Sequence, residues 1–202
     1  MLSIAFTLLG TPVTWLELIA FWLAIANIVC NVRELHWAWP LTMVASALYA
    51  WLFYVSKLYG ETGVNLFFAA TAIWGWWQWV FAKRGAQDES LQVIALGWRG
   101  RIYAIAAWLV LWMVLAQLLS KFTDTDVAWA DAFVTSGSVV GTVLLGRKYI
   151  ENWLVWLVVN AASVALFIHK NLLLTALLYI LFFVMAVWGW RAWNVKLRQR
   201  AV

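Results

Sequence analysis

Seven long apolar stretches, separated by short polar connections, constrain this chain more than any other feature of its sequence. A helix that crosses the hydrocarbon core of a bilayer needs about 20 mainly apolar residues. Because 66% of the 202 residues are hydrophobic and only 11% are charged, a soluble domain of this size could not cover the chain with polar surface. We therefore predict an all-α polytopic membrane protein with seven transmembrane helices. The predicted spans are Trp15–Val32, Ala38–Lys57, Gly63–Ala82, Arg101–Ser120, Trp129–Gly146, Asn152–His169 and Leu172–Trp193.

The residues before the first span form a separate short segment. Residues 1–14 are apolar but too few to cross a bilayer, and Pro12 is expected to end them. No basic region precedes them, so we predict an interfacial N-terminal segment rather than a signal peptide. The single cysteine, Cys30, lies within the first span, which excludes an intrachain disulfide and predicts a small buried side chain.

The basic residues cluster at the ends of the spans, on one side of the membrane. Three of the 14 lysines and arginines fall on the side that holds the N-terminus: Lys57, Lys121 and Lys170. The other eleven are Arg33, Lys83, Arg84, Arg99, Arg101, Arg147, Lys148, Arg191, Lys196, Arg198 and Arg200. Because cytoplasmic loops carry the excess of positive charge, the N-terminus is predicted to be periplasmic and the C-terminus cytoplasmic. The net charge of +5 therefore reflects membrane orientation and does not predict a nucleic-acid partner.

The sequence matches itself without gaps at an offset of 114 residues. The aligned pairs are Trp15 with Trp129, Glu17 with Asp131, Arg33 with Arg147, Trp39 with Trp153, Phe53 with Phe167, and Trp74-Gly75-Trp76 and Trp79 with Trp188-Gly189-Trp190 and Trp193. Aromatic belts at both interfaces offer an alternative explanation for matching tryptophans. The alignment of the loop residues Arg33 and Arg147 favours a duplication.

The offset determines how the two copies would lie in the membrane. It spans four helices, so both copies enter the membrane in the same direction. Parallel repeats of this kind occur in transporters, with the substrate site at the repeat interface near the midplane. We predict five parts: an interfacial segment (1–14), a three-helix bundle (15–82), a cytoplasmic loop with an inverting linker helix (83–120), a second three-helix bundle (121–193) and a cytoplasmic tail (194–202).

One face of the sixth span combines aromatic and polar side chains. Trp153, Trp156 and Asn160 are spaced i, i+3 and i+7 and so share a helical face, which Ser163 and Phe167 continue. The equivalent face of the second span carries Trp39, Thr42, Ser46, Tyr49 and Phe53. Aromatic walls with a few fixed polar groups suit a flat heteroaromatic solute, above all a cationic one. For Trp153, a place in the interfacial belt is the alternative.

Further polar residues within the spans are candidates for the same site. Asn27, Asn65 and Tyr179 are site candidates, since an amide inside the membrane needs a partner and Asn65 aligns with Tyr179. Glu17 and Asp131 lie about one turn inside the outer surface, where they form a candidate outer gate. The alternative is that these two acids lie at solvated helix N-termini, where a carboxylate is favourable.

No pattern typical of an enzyme is present. His36 and His169 lie at loop edges without metal-ligand spacing, and there is no phosphate-binding loop or nucleophile with a base beside it. The sequence predicts no cofactor and no metal. Ion-coupled carriers need a titratable group near mid-span, and none of the seven spans has Asp, Glu or His there. This pattern favours a uniporter, in which two bundles move about a central site.

Several motifs together resemble the Pnu family of bacterial vitamin transporters. Glu151-Asn152-Trp153-x-x-Trp156-x-x-x-Asn160 is similar to the Trp-x-x-Trp-x-x-x-Asn/Asp motif of that family. Trp39-Pro40, Leu48-Tyr49-Ala50, Lys57-Leu58-Tyr59, Gly75-Trp76-Trp77-Gln78-Trp79 and Gly189-Trp190 also resemble it. The similarity runs from about Trp15 to Trp193. Many relatives have Asp where this chain has Asn160.

The resemblance implies a 3+1+3 fold like that of full-length SWEET sugar transporters, as a homotrimer in the bacterial inner membrane and in contact with its lipid. It implies facilitated diffusion of nicotinamide riboside, trapped inside by a cytoplasmic kinase, with Trp153, Trp156 and Asn160 as binding residues. The same mechanism for thiamine or another nucleoside-like vitamin is an alternative. A membrane enzyme acting on lipid or quinone, and a vitamin sensor or scaffold without flux, are alternatives of other classes.

The charge distribution gives a direct test of orientation. Reporter fusions after residues 83–100 and at the C-terminus are expected to report the cytoplasm, because eleven of the 14 basic residues lie on that side. A fusion within residues 57–62 is expected to report the periplasm. An external C-terminus would contradict both the topology and the parallel-repeat hypothesis.

Overall fold

The described part of the chain forms seven helices and two short β-hairpins. The computed structural model describes residues 4–8, 11–55, 59–84, 89–123, 125, 127–169 and 173–200. The helices are α1 (Trp15–Val32), α2 (Ala38–Val55), α3 (Tyr59–Phe81), α4 (Trp98–Phe122), α5 (Ala128–Gly146), α6 (Glu151–His169) and α7 (Leu173–Arg200). The strands are β1 (Ile4–Leu8), β2 (Thr11–Thr14), β3 (Lys83–Arg84) and β4 (Glu89–Ser90).

Each predicted span corresponds to one of these helices. The largest difference is at the C-terminus, where α7 continues to Arg200, beyond the predicted end at Trp193. Lysine, arginine and glutamine are good helix formers, so the polar tail extends the helix out of the apolar stretch. The predicted bounds Lys57 and Leu172 lie outside the described residues.

Four helices within the described residues are both long and apolar enough to cross a membrane. They are α4, α5, α6 and the part of α7 from Ala176 to Gln199. Shorter apolar stretches, Phe21–Val32 and Ala38–Leu48, lie in α1 and α2. The structure thus supports a multi-pass helical membrane protein.

The two hairpins were not predicted from the sequence. β1 pairs antiparallel with β2, so Pro12 lies inside a strand opposite Thr7 instead of ending the N-terminal segment. Proline cannot donate to a ladder, but a strand with only one neighbour tolerates it. β3 pairs with β4, with Lys83 opposite Ser90 and Arg84 opposite Glu89.

The chain divides into two compact units, residues 1–76 and 77–202. In the first unit α1 packs against α2. In the second, α4 packs on α5, α5 on α6 and α6 on α7. The helix predicted to be an inverting linker, α4, therefore packs with the second bundle. The ring of Trp108 on α4 stacks on Phe133 of α5 at 5.0 Å and donates its indole N–H to the Phe133 carbonyl at 3.1 Å.

The turn between α1 and α2 has the same backbone as the turn between α5 and α6. Glu34 and Lys148, which are 114 residues apart, have left-handed φ angles of 59° and 52°. Each is the left-handed residue of a Schellman motif that ends a helix. In the first turn, five backbone N–H groups donate to backbone carbonyl groups: Arg33 to Val29, Glu34 to Asn31, Leu35 to Cys30, Ala38 to Leu35 and Trp39 to His36. The same five bonds recur 114 residues later in the sequence.

A tryptophan lies against a glycine at equivalent positions of the two units. In the first unit, the ring of Trp39 on α2 covers Gly75 of α3 so closely that a β-carbon there would overlap it. In the second unit, Trp153 of α6 covers Gly189 of α7, where a β-carbon would lie 2.6 Å from the ring. Trp39 and Trp153 are each 3% exposed. Both contacts depend on a residue without a side chain.

Substitution of Gly189 tests this contact. Gly189→Ala is expected to destabilise the protein by about 1–3 kcal/mol, because the rigid indole of Trp153 must shift to admit the methyl group. Gly97→Ala is the matched control, since nothing lies within 4 Å of a β-carbon there and its φ of −64° suits alanine. Thermal unfolding in detergent measures both. Equal melting temperatures for the two variants would contradict the account of the contact.

Candidate functional site

The interior face of α6 carries the residues that the sequence singled out. Trp153 is 3% exposed and Asn160 is 4% exposed, while Trp156 is half-buried. Ser163 is fully buried. Because these residues are spaced along one helical face, two indole rings are followed by two hydrogen-bonding side chains along α6.

Trp153 is held in an aromatic cluster at the end of the unit where α6 begins. Its ring meets Trp193 edge to face at 5.5 Å, and Trp193 in turn lies 6.5 Å from Trp79. A ring so deeply buried does not face lipid, which argues against the interfacial-belt interpretation. Within the described part of the chain, the indole nitrogen of Trp153 has no hydrogen-bond partner. The indole N–H is therefore a buried donor that a bound solute could satisfy.

Trp156 lies against α5 at a glycine. A β-carbon on Gly141 would meet Cε2 of the Trp156 ring at 3.1 Å. The helices therefore approach closely here, as small residues at a membrane helix interface allow. Since Trp156 is only half-buried, part of its ring stays free to stack on a flat ligand.

Asn160 and Ser163 place two polar side chains one turn apart in the middle of α6. Ser163 is fully buried, and among the described residues its hydroxyl oxygen makes no hydrogen bond. Serines within helices commonly bond back to their own backbone, as Ser138 does to the Val134 carbonyl at 2.9 Å. The Ser163 hydroxyl, unlike that of Ser138, therefore makes no bond to its own helix. The sequence predicted Ser163 only as an extension of the face.

Tyr179 joins the far end of the α6 face. Its ring stacks on Phe167 at 5.1 Å with an interplanar angle of 30°, and meets Phe182 edge to face at 5.6 Å. Asp131 is half-buried in the first turn of α5, at the end of the unit where α6 ends and α7 begins, because successive helices run in opposite directions. The predicted binding residue Tyr179 and the predicted gate residue Asp131 therefore lie at the same end of the second unit.

Three predicted site residues of the first unit, Asn27, Ser46 and Asn65, have described side chains. Both amide hydrogens of Asn27 are used between helices, in bonds to the Ala38 carbonyl at 2.7 Å and to the Thr42 hydroxyl at 2.6 Å. Asn27 also accepts a hydrogen bond from Asn31 at 2.9 Å, so its amide serves helix packing. Ser46 is buried, and Asn65 is half-buried with contacts of its own. The side chains of Glu17 and Tyr49 lie outside the described part of the structure.

Sequence reasoning missed a polar cluster beside Trp153. Both carboxylate oxygens of Glu151 accept hydrogen bonds from the Leu96 backbone N–H, at 3.1 and 3.0 Å. Arg101 adds a hydrogen bond and an ion pair to the same carboxylate, each at 3.0 Å. The sequence signal that could have revealed this cluster was the acidic residue just before the Trp-x-x-Trp motif. Glu151 is only 8% exposed, and a buried acid needs partners.

The same cluster fixes the loop before α4 to the turn before α6. Ile94 pairs in parallel with Tyr149: its N–H donates to the Lys148 carbonyl at 3.2 Å, and its carbonyl accepts from Ile150 at 3.0 Å. The ammonium of Lys148 lies 4.7 Å from the centre of the Trp79 ring, in a cation–π contact. Loop, turn and the last turn of α3 therefore hold the start of α6, and with it Trp153, in place.

The chain is similar in sequence to known membrane transporters over almost its whole length. It is 26% identical to the riboflavin/roseoflavin transporter RibM of Streptomyces davaonensis, over 98% of this chain and 92% of that protein. It is 25% identical to the nicotinamide riboside transporter PnuC of Escherichia coli, over 95% of this chain and 90% of that one. It is 26% identical to PnuC of Neisseria mucosa, over 94% and 76% of the two chains.

The fold is similar to that of a transporter of known structure. The crystal structure of the vitamin B3 transporter PnuC superposes with a TM-score of 0.72 and 25% sequence identity, covering 92% of this chain and 83% of that one. The family model described as nicotinamide mononucleotide transporter matches residues 14–195. These relatives are transporters and not enzymes. The resemblance found in the Trp-x-x-Trp-x-x-x-Asn motif is thereby confirmed, and the chain belongs to the nicotinamide mononucleotide transporter family.

Proposed function

We propose that this protein carries nicotinamide riboside across the bacterial inner membrane by facilitated diffusion. The α6 face carries the proposal, because it combines a half-buried indole, Trp156, with the buried polar groups of Trp153, Asn160 and Ser163. A nicotinamide ring is a flat cation that stacks on aromatic faces. Its amide and ribose hydroxyls need hydrogen-bond partners inside the membrane, where no water replaces them.

The absence of Asp, Glu and His near the middle of the seven spans favours uniport. Asp131 is the fourth residue of α5 and Glu17 the third of α1, so both lie near helix ends. A proton- or sodium-coupled cycle needs a group whose charge or coordination changes deep in the membrane. Net uptake would then depend on chemical trapping, for which phosphorylation by a cytoplasmic kinase suffices, since it removes the free riboside from the transport equilibrium.

Riboflavin is the second candidate solute. The match to RibM covers 98% of this chain, and an isoalloxazine is also a flat ring system with a polyhydroxylated side arm. The same stacking and hydrogen-bonding groups on α6 would serve it. The two vitamins differ in charge, since the nicotinamide ring of the riboside is cationic and isoalloxazine is neutral. Thiamine, also cationic, is a further candidate with the same mechanism, and a homotrimer is proposed from the resemblance.

Binding to purified protein separates these solutes and tests the α6 face. Calorimetric titration with nicotinamide riboside, thiamine and riboflavin is expected to give the highest affinity for nicotinamide riboside. Trp156→Ala and Asn160→Ala should each weaken that binding by about 1–3 kcal/mol, through loss of a stacking surface or of a desolvated hydrogen bond. Binding without any flux in vesicles would instead favour a sensor.

Trp190→Ala is the control for this experiment. Trp190 is 38% exposed, so it fits the interfacial belt, and its loss is expected to leave affinity nearly unchanged. Size-exclusion profiles show whether each variant folds. If Trp190→Ala abolished binding and Trp156→Ala did not, the solute would lie elsewhere in the protein.

A further inference from the structure

The side chain of Trp79, in the last turn of α3, packs on the turn between α5 and α6. The boundary between the two compact units falls inside α3, after Trp76, so Trp79 lies in the second unit. Its indole N–H donates to the Leu145 carbonyl at 3.1 Å, and the Lys148 ammonium lies 4.7 Å from the centre of the ring. Trp79 is 7% exposed and Lys148 is 8% exposed, so both partners of this cation–π contact are buried. The charge distribution predicts that this end of the unit faces the cytoplasm.

The indole rings of Trp79 and Trp193 cover the start of the candidate binding face. Trp193 contacts rings on both sides, at 6.5 Å from the centre of Trp79 and at 5.5 Å from that of Trp153, the first aromatic residue of the α6 face. Trp193 is fully buried and Trp153 is 3% exposed, so the start of the face is closed to water in this conformation. A solute that leaves the α6 face toward this end must displace the covering rings.

The turn between α5 and α6 does not need Trp79 to stay folded. The Leu145 carbonyl also accepts the backbone N–H of Lys148 at 2.9 Å, within the Schellman motif, so it keeps a partner when the indole leaves. The backbone bonds of Ile94 with Lys148 and Ile150 hold the turn independently. A released indole and a released ammonium are both favourable at a membrane–water interface. The Trp79 contact can therefore break while the turn remains intact.

We propose that Trp79 is the cytoplasmic gate residue of this transporter, and that its contacts with Leu145 and Lys148 hold the gate closed. The inference rests on the proposed function and adds to it the step that releases the vitamin. When the Trp79 side chain leaves the turn, the start of the α6 face opens to the cytoplasm and the solute exits past Trp153. Because the hydrogen bond and the cation–π contact exist only in the closed conformation, they stabilise it relative to the open one.

Reaction of a buried cysteine with a charged thiol reagent tests the gate without any vitamin. Ala186 is 2% exposed and lies seven residues before Trp193 on α7, on the same helical face and deeper in the membrane. In a Cys30→Ser background, Ala186→Cys is expected to react roughly tenfold faster from the cytoplasmic side when Trp79→Ala is added, because one hydrogen bond and one cation–π contact of the closed state are lost. Trp79→Phe keeps a ring but loses the hydrogen bond, so a smaller acceleration is expected. That variant carries the test if Trp79→Ala does not fold.

Trp77→Ala is the matched control, because it removes a tryptophan that is 54% exposed two residues earlier in the same helix. It is expected to leave the reaction rate of the Ala186→Cys reporter unchanged. Ala132→Cys reports general loosening, since Ala132 is fully buried toward the opposite end of α5, and its rate should not rise with Trp79→Ala. Equal acceleration of both reporters, or an unchanged rate at position 186, would overturn the proposal and leave the proposed function intact. Failure of the wild-type protein to bind nicotinamide riboside would instead overturn the proposed function.

Discussion

The packing of both units depends on the close contact of a tryptophan ring with a helix glycine. The contacts are Trp153 on Gly189 and Trp39 on Gly75. Between helices surrounded by lipid the hydrophobic effect contributes little, so association depends on van der Waals contact where small residues allow close approach. In the second unit the contact also positions the α6 face, because Trp153 begins it. The edge-to-face ring of Trp193, which is fully buried, fixes the indole from the other side.

The bounds of the helices could be predicted closely because a bilayer allows few kinds of spanning structure. Backbone N–H and C=O groups in hydrocarbon must form hydrogen bonds within a helix or a closed barrel, so apolar stretches of about 20 residues become helices. Accordingly, α1 and α5 end at the predicted residues Val32 and Gly146. The hairpins lie outside those stretches, where this constraint does not act. The Schellman turns at Glu34 and Lys148 were not predicted either, because neither residue is the glycine that usually marks a left-handed position.

The candidate site could be predicted only in part. Helical periodicity identified Trp153, Trp156 and Asn160 as one face, and the structure buries Trp153 and Asn160 of that face and half-buries Trp156. Periodicity within one helix carries no information on partners in another. It could not show that Asn27 uses both amide hydrogens on α2, or that the Glu151 carboxylate accepts hydrogen bonds from the Leu96 N–H and from Arg101. The role of each binding residue remains a prediction.

We propose that a vitamin crosses the membrane through this protein without coupling to an ion gradient. The most direct measurement is the uptake of labelled nicotinamide riboside into liposomes that contain only this protein. Under a proton or sodium gradient at zero membrane potential, the internal concentration should rise to the external level and stop there, because none of the seven spans has Asp, Glu or His near its middle. A membrane potential must be clamped, since it acts on the charge of the solute itself. Accumulation above the external level, driven by a proton or sodium gradient alone, would contradict the account.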